Sequence, residues 1–253
     1  MAAQGKPGST VVICTDGLAN VGLGAFDEVK TEADMQQVDA FYETVGQIAQ
    51  TAGVTIQIIS IEGDECNIDS LSTLAELTGG AVERVNPTTL TKNFANMLSV
   101  PVIATCVEAK VKIHKGLQFR NELDKDVGED KTLLARQFGN VTAESLFTFE
   151  YGLKPISHLL AMEDIDMTKI THLPFQTQIS YTALDGSKCL RVITKRQEVC
   201  NEREAVESTA NYEMLSYNCM MKGTQQARAG NLKKAQAIMK GCKRGMAKNL
   251  TNT

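Results

Sequence analysis

Asp16 is the residue of this chain best placed to do chemistry. It follows the β-branched run Val11-Val12-Ile13 and stands between Thr15 and Gly17, with Asn20 and Gly22 at turn-like spacing beyond. An apolar run that stops at a carboxylate and a glycine reads as a buried parallel strand. Such strands deliver a polar residue to the carboxyl edge of an open α/β sheet, where ligands bind. The alternative is a strand end with a solvated aspartate. Two catalytic readings fail on spacing. No G-x-x-x-x-G-K-[ST] occurs, so the glycines between Gly17 and Gly24 build no phosphate loop. A phosphatase with a nucleophilic Asp two residues before a second Asp is excluded as well, because Cys14 occupies the earlier place.

Other reactive side chains form no recognisable constellation. His114, His158 and His172 are the three histidines, and no H-E-x-x-H joins them. Glu150, Glu163, Asp164 and Asp166 supply acidic loop content without a pairing that the sequence defines. The seven cysteines are scattered, odd in number and without a C-x-x-C pair. That pattern argues against a disulfide framework and a zinc ribbon, and it predicts reduced, mostly buried thiols.

The elements that must position Asp16 follow in order. Residues 31–51 carry an apolar stripe of Met35, Val38, Phe41, Tyr42, Val45, Ile48 and Ala49 at helical steps, with Thr31 and Asp34 as a capping pair and Gly53 just past the end. Residues 54–61 are rich in β-branched residues and read as a buried strand. Asp69 caps a short helix through Leu71, Leu74 and Leu77 that Gly79-Gly80 stops. A brief strand over 81–85 leads through Asn86-Pro87 into a helix from 88 to about 98. Alternating strands and helices with short connections predict a parallel sheet with right-handed crossovers.

The phrases TDGLANVG, then DAFYETVGQIAQTAGVTIQIISIEGDECNIDSLSTLAELTGGAVERV, then NPTTLTKNF resemble the second half of a von Willebrand factor A (vWA) domain over residues 10–98. The resemblance implies a Rossmann-like parallel sheet and a metal-ion-dependent adhesion site. Asp16 would then be a ligand of a divalent cation, usually Mg2+, with Thr15, Gly17 and Asn20 shaping the loop. The family's site also uses a D-x-S-x-S loop and a threonine from a later loop, both upstream of the TDG strand. No D-x-S-x-S occurs in this chain; Asp69-Ser70-Leu71-Ser72 has its serines misplaced. A hard cation takes about six oxygens, so Asp16 with waters binds it weakly or not at all. Without the family's neighbouring strands, the edge and apolar faces of the TDG strand lie exposed. The chain therefore reads as a fragment, or as a half-domain completed by another chain or segment.

Beyond residue 100 the period changes. Residues 102–114 alternate, with Val107, Ala109, Val111 and Ile113 on one side and Glu108, Lys110, Lys112 and His114 on the other, as in a half-exposed strand. Further strands are expected over 132–138, 145–153, 175–184 and 188–194, with a hairpin turn at Asp185-Gly186 and a loop over 155–173. Such spacing predicts an antiparallel β-sandwich-like module. Residues 202–222 have a helical rhythm through Val206, Ala210, Met214, Tyr217 and Met221, which Gly223 interrupts; a last helix begins near Asn231. The expected domains are 1–99, 100–198 and 199–253. This order resembles vWA proteins of the Sec23/Sec24 type.

Charge is uneven. The chain carries −4, yet no acidic residue follows Glu213, and eight basic residues do, leaving −12 on the first 213. On the last helix Lys233, Lys234, Lys240, Lys243 and Arg244 are candidate contacts for an acidic partner. Base-stacking aromatics are missing there, which disfavours nucleic acid. No apolar run reaches the roughly 18 residues of a membrane span, and the N-terminal residues have no signal-peptide core, so the expected compartment is the cytoplasm. These features predict a non-enzymatic interaction or scaffold module. A coat-like assembly subunit and a metal-dependent hydrolase or phosphatase using Asp16 are the alternatives.

Overall fold

A computed structural model describes residues 4–15, 18–27, 29–61, 68–162, 169–228 and 230–250. The chain folds into two compact units, one built from residues 1–112, 133–145 and 176–194, the other from 113–132, 146–175 and 195–253.

The first unit opens with β1 (Thr10–Thr15), α1 (Glu32–Thr51), β2 (Thr55–Ile61), α2 (Ile68–Thr78), β3 (Val82–Val85) and α3 (Leu90–Ser99). The three strands form a parallel sheet in the order β1-β2-β3, with Thr10 opposite Thr55 and Thr15 opposite Ser60. α1 begins with a full capping box: Thr31 Oγ1 accepts the Asp34 N–H at 3.2 Å, and Asp34 Oδ2 accepts the Thr31 N–H at 2.9 Å. These bonds hold the Asp34 carboxyl below the usual carboxylate range. Val38, Tyr42 and Ala49 of α1 pack with Ile56 and Ile58 of β2 and with Leu74 and Ala75 of α2. Gly46 permits the approach of the two helices, since a Cβ there would lie 2.7 Å from Leu77 Cδ1.

The end of α2 is fixed by the buried Thr78, whose Oγ1 accepts the Ile56 N–H at 2.9 Å, and by a close backbone approach. Gly79 has φ +74, and a Cβ on it would lie 1.9 Å from the Asn140 carbonyl oxygen. Only glycine fits there. Asn140 is in β6 (Leu133–Thr142), and its Nδ2 donates to Thr55 Oγ1 at 2.9 Å. β6 therefore braces both the end of α2 and the start of β2.

A four-stranded sheet runs β6-β4-β8-β9, where β4 is Val102–Ile113, β8 is His172–Thr182 and β9 is Lys188–Glu198. β4 pairs antiparallel with β6, with bulges between Val102 and Glu108. Val107, Ala109, Val111 and Ile113 are all buried, as their alternation predicts. β8 and β9 turn through Gly186, φ +89, at the expected Asp185-Gly186 hairpin.

The second unit holds the two-stranded antiparallel pair β5 (Leu117–Phe119) and β7 (Tyr151–Leu153), then α4 (Ile156–Leu160), α5 (Arg203–Ser208), α6 (Tyr212–Arg228) and α7 (Leu232–Leu250). Phe119, Phe149, Tyr151 and Phe175 form a chain of ring contacts at 4.9–6.4 Å. The fold class thus matches the expectation: a parallel α/β part, a β-rich part and C-terminal helices.

Four local expectations need correction. The strand expected over 145–153 is confined to β7, because residues before it turn: Ser145 Oγ accepts the Thr142 N–H at 2.9 Å. The segment 155–173 contains the short helix α4 rather than loop alone. The helix expected over 202–222 is broken between Ser208 and Tyr212, where Thr209 bonds back to Ala205 and Val206 and Asn211 Oδ1 accepts the Met214 N–H at 2.9 Å. Gly223 does not interrupt; α6 runs through it. The thiols are also less buried than expected. Cys14, Cys106 and Cys200 are exposed and Cys189, Cys219 and Cys242 are half-buried, while Cys66 lies outside the described residues.

Candidate functional site

β1 ends at Thr15, the first residue of the TDG triplet, at the carboxyl edge of the parallel sheet. Thr15 is half-buried beside the buried Ser60 of β2. Asp16 and Gly17 lie outside the described residues, as do residues 62–67 at the end of β2. Asn20 is exposed in the loop that follows β1. That loop is anchored at its base: Tyr42 Oη donates to the Gly24 carbonyl at 3.1 Å, and the Phe26 ring stacks on Tyr42 at 6.0 Å. Its tip carries Val21 and Leu23, 86% and 84% exposed.

β1 itself is only half covered. Among the described residues it pairs with β2 alone, Val11, Val12 and Ile13 are half-buried and Cys14 is exposed. β2, by contrast, is buried at Thr55, Ile56, Ile58, Ile59 and Ser60.

For a divalent cation the described residues offer little. Among them no three His, Cys, Asp or Glu side chains come together. Further along the first unit Asp34 is engaged in the α1 cap, and Asp39 accepts from Ser70 Oγ at 2.6 Å. Thr15 and Asn20 alone do not make a Mg2+ shell of about six oxygens.

The basic candidates separate cleanly. Lys233, Lys234, Lys240, Lys243 and Arg244 are all exposed along α7. Lys222 of α6, counted with them in the basic tail, is buried. Its Nζ lies 2.7 Å from Glu122 Oε1 and donates to the Asn121 carbonyl at 2.5 Å. A partner cannot reach it. Among the described residues no helix is long and apolar enough to cross a membrane.

Sequence reasoning missed a groove of about 410 Å³ in the first unit, lined by Gln50, Cys106, Glu108, Ser180 and Lys188 among others. Cys106 sits in the β4 bulge with φ +51, its Sγ 3.4 Å from the Gln50 carbonyl oxygen. The bulge has no sequence signature here, so nothing in the alternating pattern announces it.

No protein-family model matches the chain. Over 225 residues, 89% of its length, the chain is 33% identical to circularly permutated Ras protein 1 of Dictyostelium discoideum, of which it covers 24%. It therefore spans about a quarter of the length of that curated relative. Two solved structures are similar at 12% sequence identity. The human COPII-coat protein Sec24c has a TM-score of 0.49 over 93% of this chain and 33% of its own. The ArnB paralog VWA2 from Sulfolobus acidocaldarius has a TM-score of 0.46 over 95% of this chain and 55% of its own.

Proposed function

We propose that this chain is a non-enzymatic protein-interaction or scaffold module built on a vWA-type α/β unit, with a metal site that is completed by oxygen ligands from another segment or another chain. The observation that carries this reading is β1. It ends at Thr15, immediately before Asp16 in the sequence, carries an apolar face that is only half covered, and pairs on one side among the described residues. A complementary strand added to that edge would cover Val11 to Ile13 and could bring a D-x-S-x-S loop beside Asp16. In the first unit, the exposed Val21 and Leu23 of the adjoining loop offer an apolar contact; in the second, the five exposed basic residues of α7 suit an acidic partner. The Dictyostelium relative has Ras in its name, but this chain holds no G-x-x-x-x-G-K-[ST]. We therefore read the matched quarter as an interaction part rather than a nucleotide-binding one.

Calorimetric titration of Mg2+ into the isolated chain tests the incomplete site. With one carboxylate the dissociation constant is on the order of millimolar or weaker, and Asp16→Ala leaves the heats unchanged. Micromolar binding that Asp16→Ala abolishes would show that the chain holds its own metal. Adding a polypeptide that carries a strand and a D-x-S-x-S loop is expected to slow amide exchange in β1 and to tighten Mg2+ binding. Unchanged exchange in β1 would remove the basis for strand complementation.

A further inference from the structure

The α6–α7 hairpin brings together two cysteines that no spacing in the sequence advertises. Cys219 is in α6 and Cys242 in α7, on the helix faces that meet in the hairpin. The register of the hairpin puts them there. Gly223 of α6 faces Met239 of α7 so closely that a Cβ at 223 would lie 2.9 Å from Met239 Sδ. One turn back along α6 reaches Cys219, and one turn onward along α7 reaches Cys242. Gly223 and the buried Ala235 are the small residues that allow the two backbones this approach. Both thiols are free and half-buried, so small solutes reach them.

We propose that Cys219 and Cys242 form a dithiol modification site at which a hydroperoxide converts the pair to an intramolecular disulfide, stapling α6 to α7. Burial first, and then the neighbouring Cys242 and Glu150, push the Cys219 thiol up to about 12. Cys219 therefore keeps its proton at neutral pH, which leaves Cys242 as the attacking sulfur. The Cys242 thiolate breaks the O–O bond of the hydroperoxide and releases alkoxide, or hydroxide when the oxidant is hydrogen peroxide. Its sulfur is oxidised to the sulfenic acid and the peroxide oxygen is reduced. Cys219 then attacks the sulfenic sulfur: the S–S bond forms, the S–O bond breaks, and the thiol proton leaves with the hydroxyl as water. With hydrogen peroxide, one oxidant and two thiols give one disulfide and two waters. The other described cysteines have different neighbours. Cys106, Cys189 and Cys200 face the backbone carbonyls of Gln50, Ser187 and Glu202.

The test uses the full chain under native conditions. It is treated with a small excess of hydrogen peroxide, alkylated with N-ethylmaleimide in denaturant, and digested with trypsin. The expected product is peptide 204–222 joined to peptide 241–243, about tenfold more abundant than any other cysteine pairing and reversed by dithiothreitol. Phenylarsine oxide, which bridges paired thiols, is expected to bind one arsenic per chain, and none in Cys219→Ser or Cys242→Ser. Full alkylation of Cys219 and Cys242 after peroxide, or a linked peptide no commoner than other pairs, overturns the proposal. So does a lack of arsenical binding by the unsubstituted chain, a measurement that does not depend on how the serine variants fold.

Discussion

Lys222→Met removes the ammonium from the centre of a buried polar knot. Lys222 Nζ and Glu122 Oε1 are 2.7 Å apart, with side-chain exposures of 7% and 1%. The same Glu122 oxygen accepts the Glu150 N–H at 2.8 Å, and Asn121 donates through Nδ2 to both Glu150 carboxylate oxygens, at 3.0 and 3.1 Å. Methionine keeps most of the methylene stem, so packing changes little. What changes is that the Glu122 carboxylate loses its counter-charge in a place water does not reach. Breaking a buried ion pair from one side costs about 3–5 kcal/mol, far more than losing a surface pair. With a urea dependence of about 2 kcal/mol per molar, the unfolding midpoint should fall by roughly 1.5–2.5 M. Urea titration followed by far-ultraviolet circular dichroism measures it. The double variant K222M/E122Q, which keeps an acceptor for the Glu150 N–H but no orphaned charge, should recover at least about 1 kcal/mol. A loss below about 1 kcal/mol in K222M, or a double variant no more stable than the single one, would refute the reasoning, since those are the values of a solvated pair.

Gly79→Ala should be far more costly than Gly186→Ala, although both glycines have positive φ. At Gly186 nothing lies within 4 Å of the added Cβ, so only the backbone penalty of about 1–2 kcal/mol applies. At Gly79 the Cβ would also meet the Asn140 carbonyl, which should bring the loss above about 3 kcal/mol in thermal melts. Equal losses would mean that α2 and β6 do not approach as described. Acidification probes His114, whose imidazole is held below its ordinary value first by burial and then by Lys115. The unfolded chain binds that proton more readily. The His114 contribution to stability is therefore complete above the ordinary histidine pKa of about 6.5 and is lost as pH falls from there through the folded value. A proton-resonance titration should give a His114 midpoint below 6.5, and His114→Gln should flatten the stability slope in that window. A midpoint at or above 6.5 contradicts the burial.

Much of the fold was legible because its elements announce themselves locally. The α1 stripe, its Thr31–Asp34 box and the alternation that buries Val107 to Ile113 are one-dimensional patterns with a direct physical meaning. Gly223 misled because helix propensity is a local quantity while its packing is not. The glycine weakens α6 as a lone helix but lets Met239 come close, and tertiary contact offsets the propensity. Thiol exposure misled for a related reason: cysteine favours interiors on average, but Cys14 sits on a half-covered strand and Cys106 in a bulge. At the candidate site, Thr15 was readable as a strand end. The Lys222–Glu122 pair and the facing of Cys219 and Cys242 across the hairpin were not, since only the folded chain brings those residues together and no spacing rule links them.

The two units borrow alternate stretches of one polypeptide, and this has a consequence for the order in which the protein can be made. When residue 112 leaves the ribosome, all residues of the parallel sheet and its helices have been synthesised. β6, with the Asn140 amide that bonds Thr55 and the carbonyl that meets Gly79, is still to come. Residues 113–132, made first, belong to the unit that finishes last, with α6 and α7. Neither unit can complete its core during synthesis before the other has begun. A stop codon or a single protease cut between residues 113 and 194 therefore yields no intact unit on either side. Expression boundaries for isolating one part have to be drawn as chain rearrangements rather than as truncations.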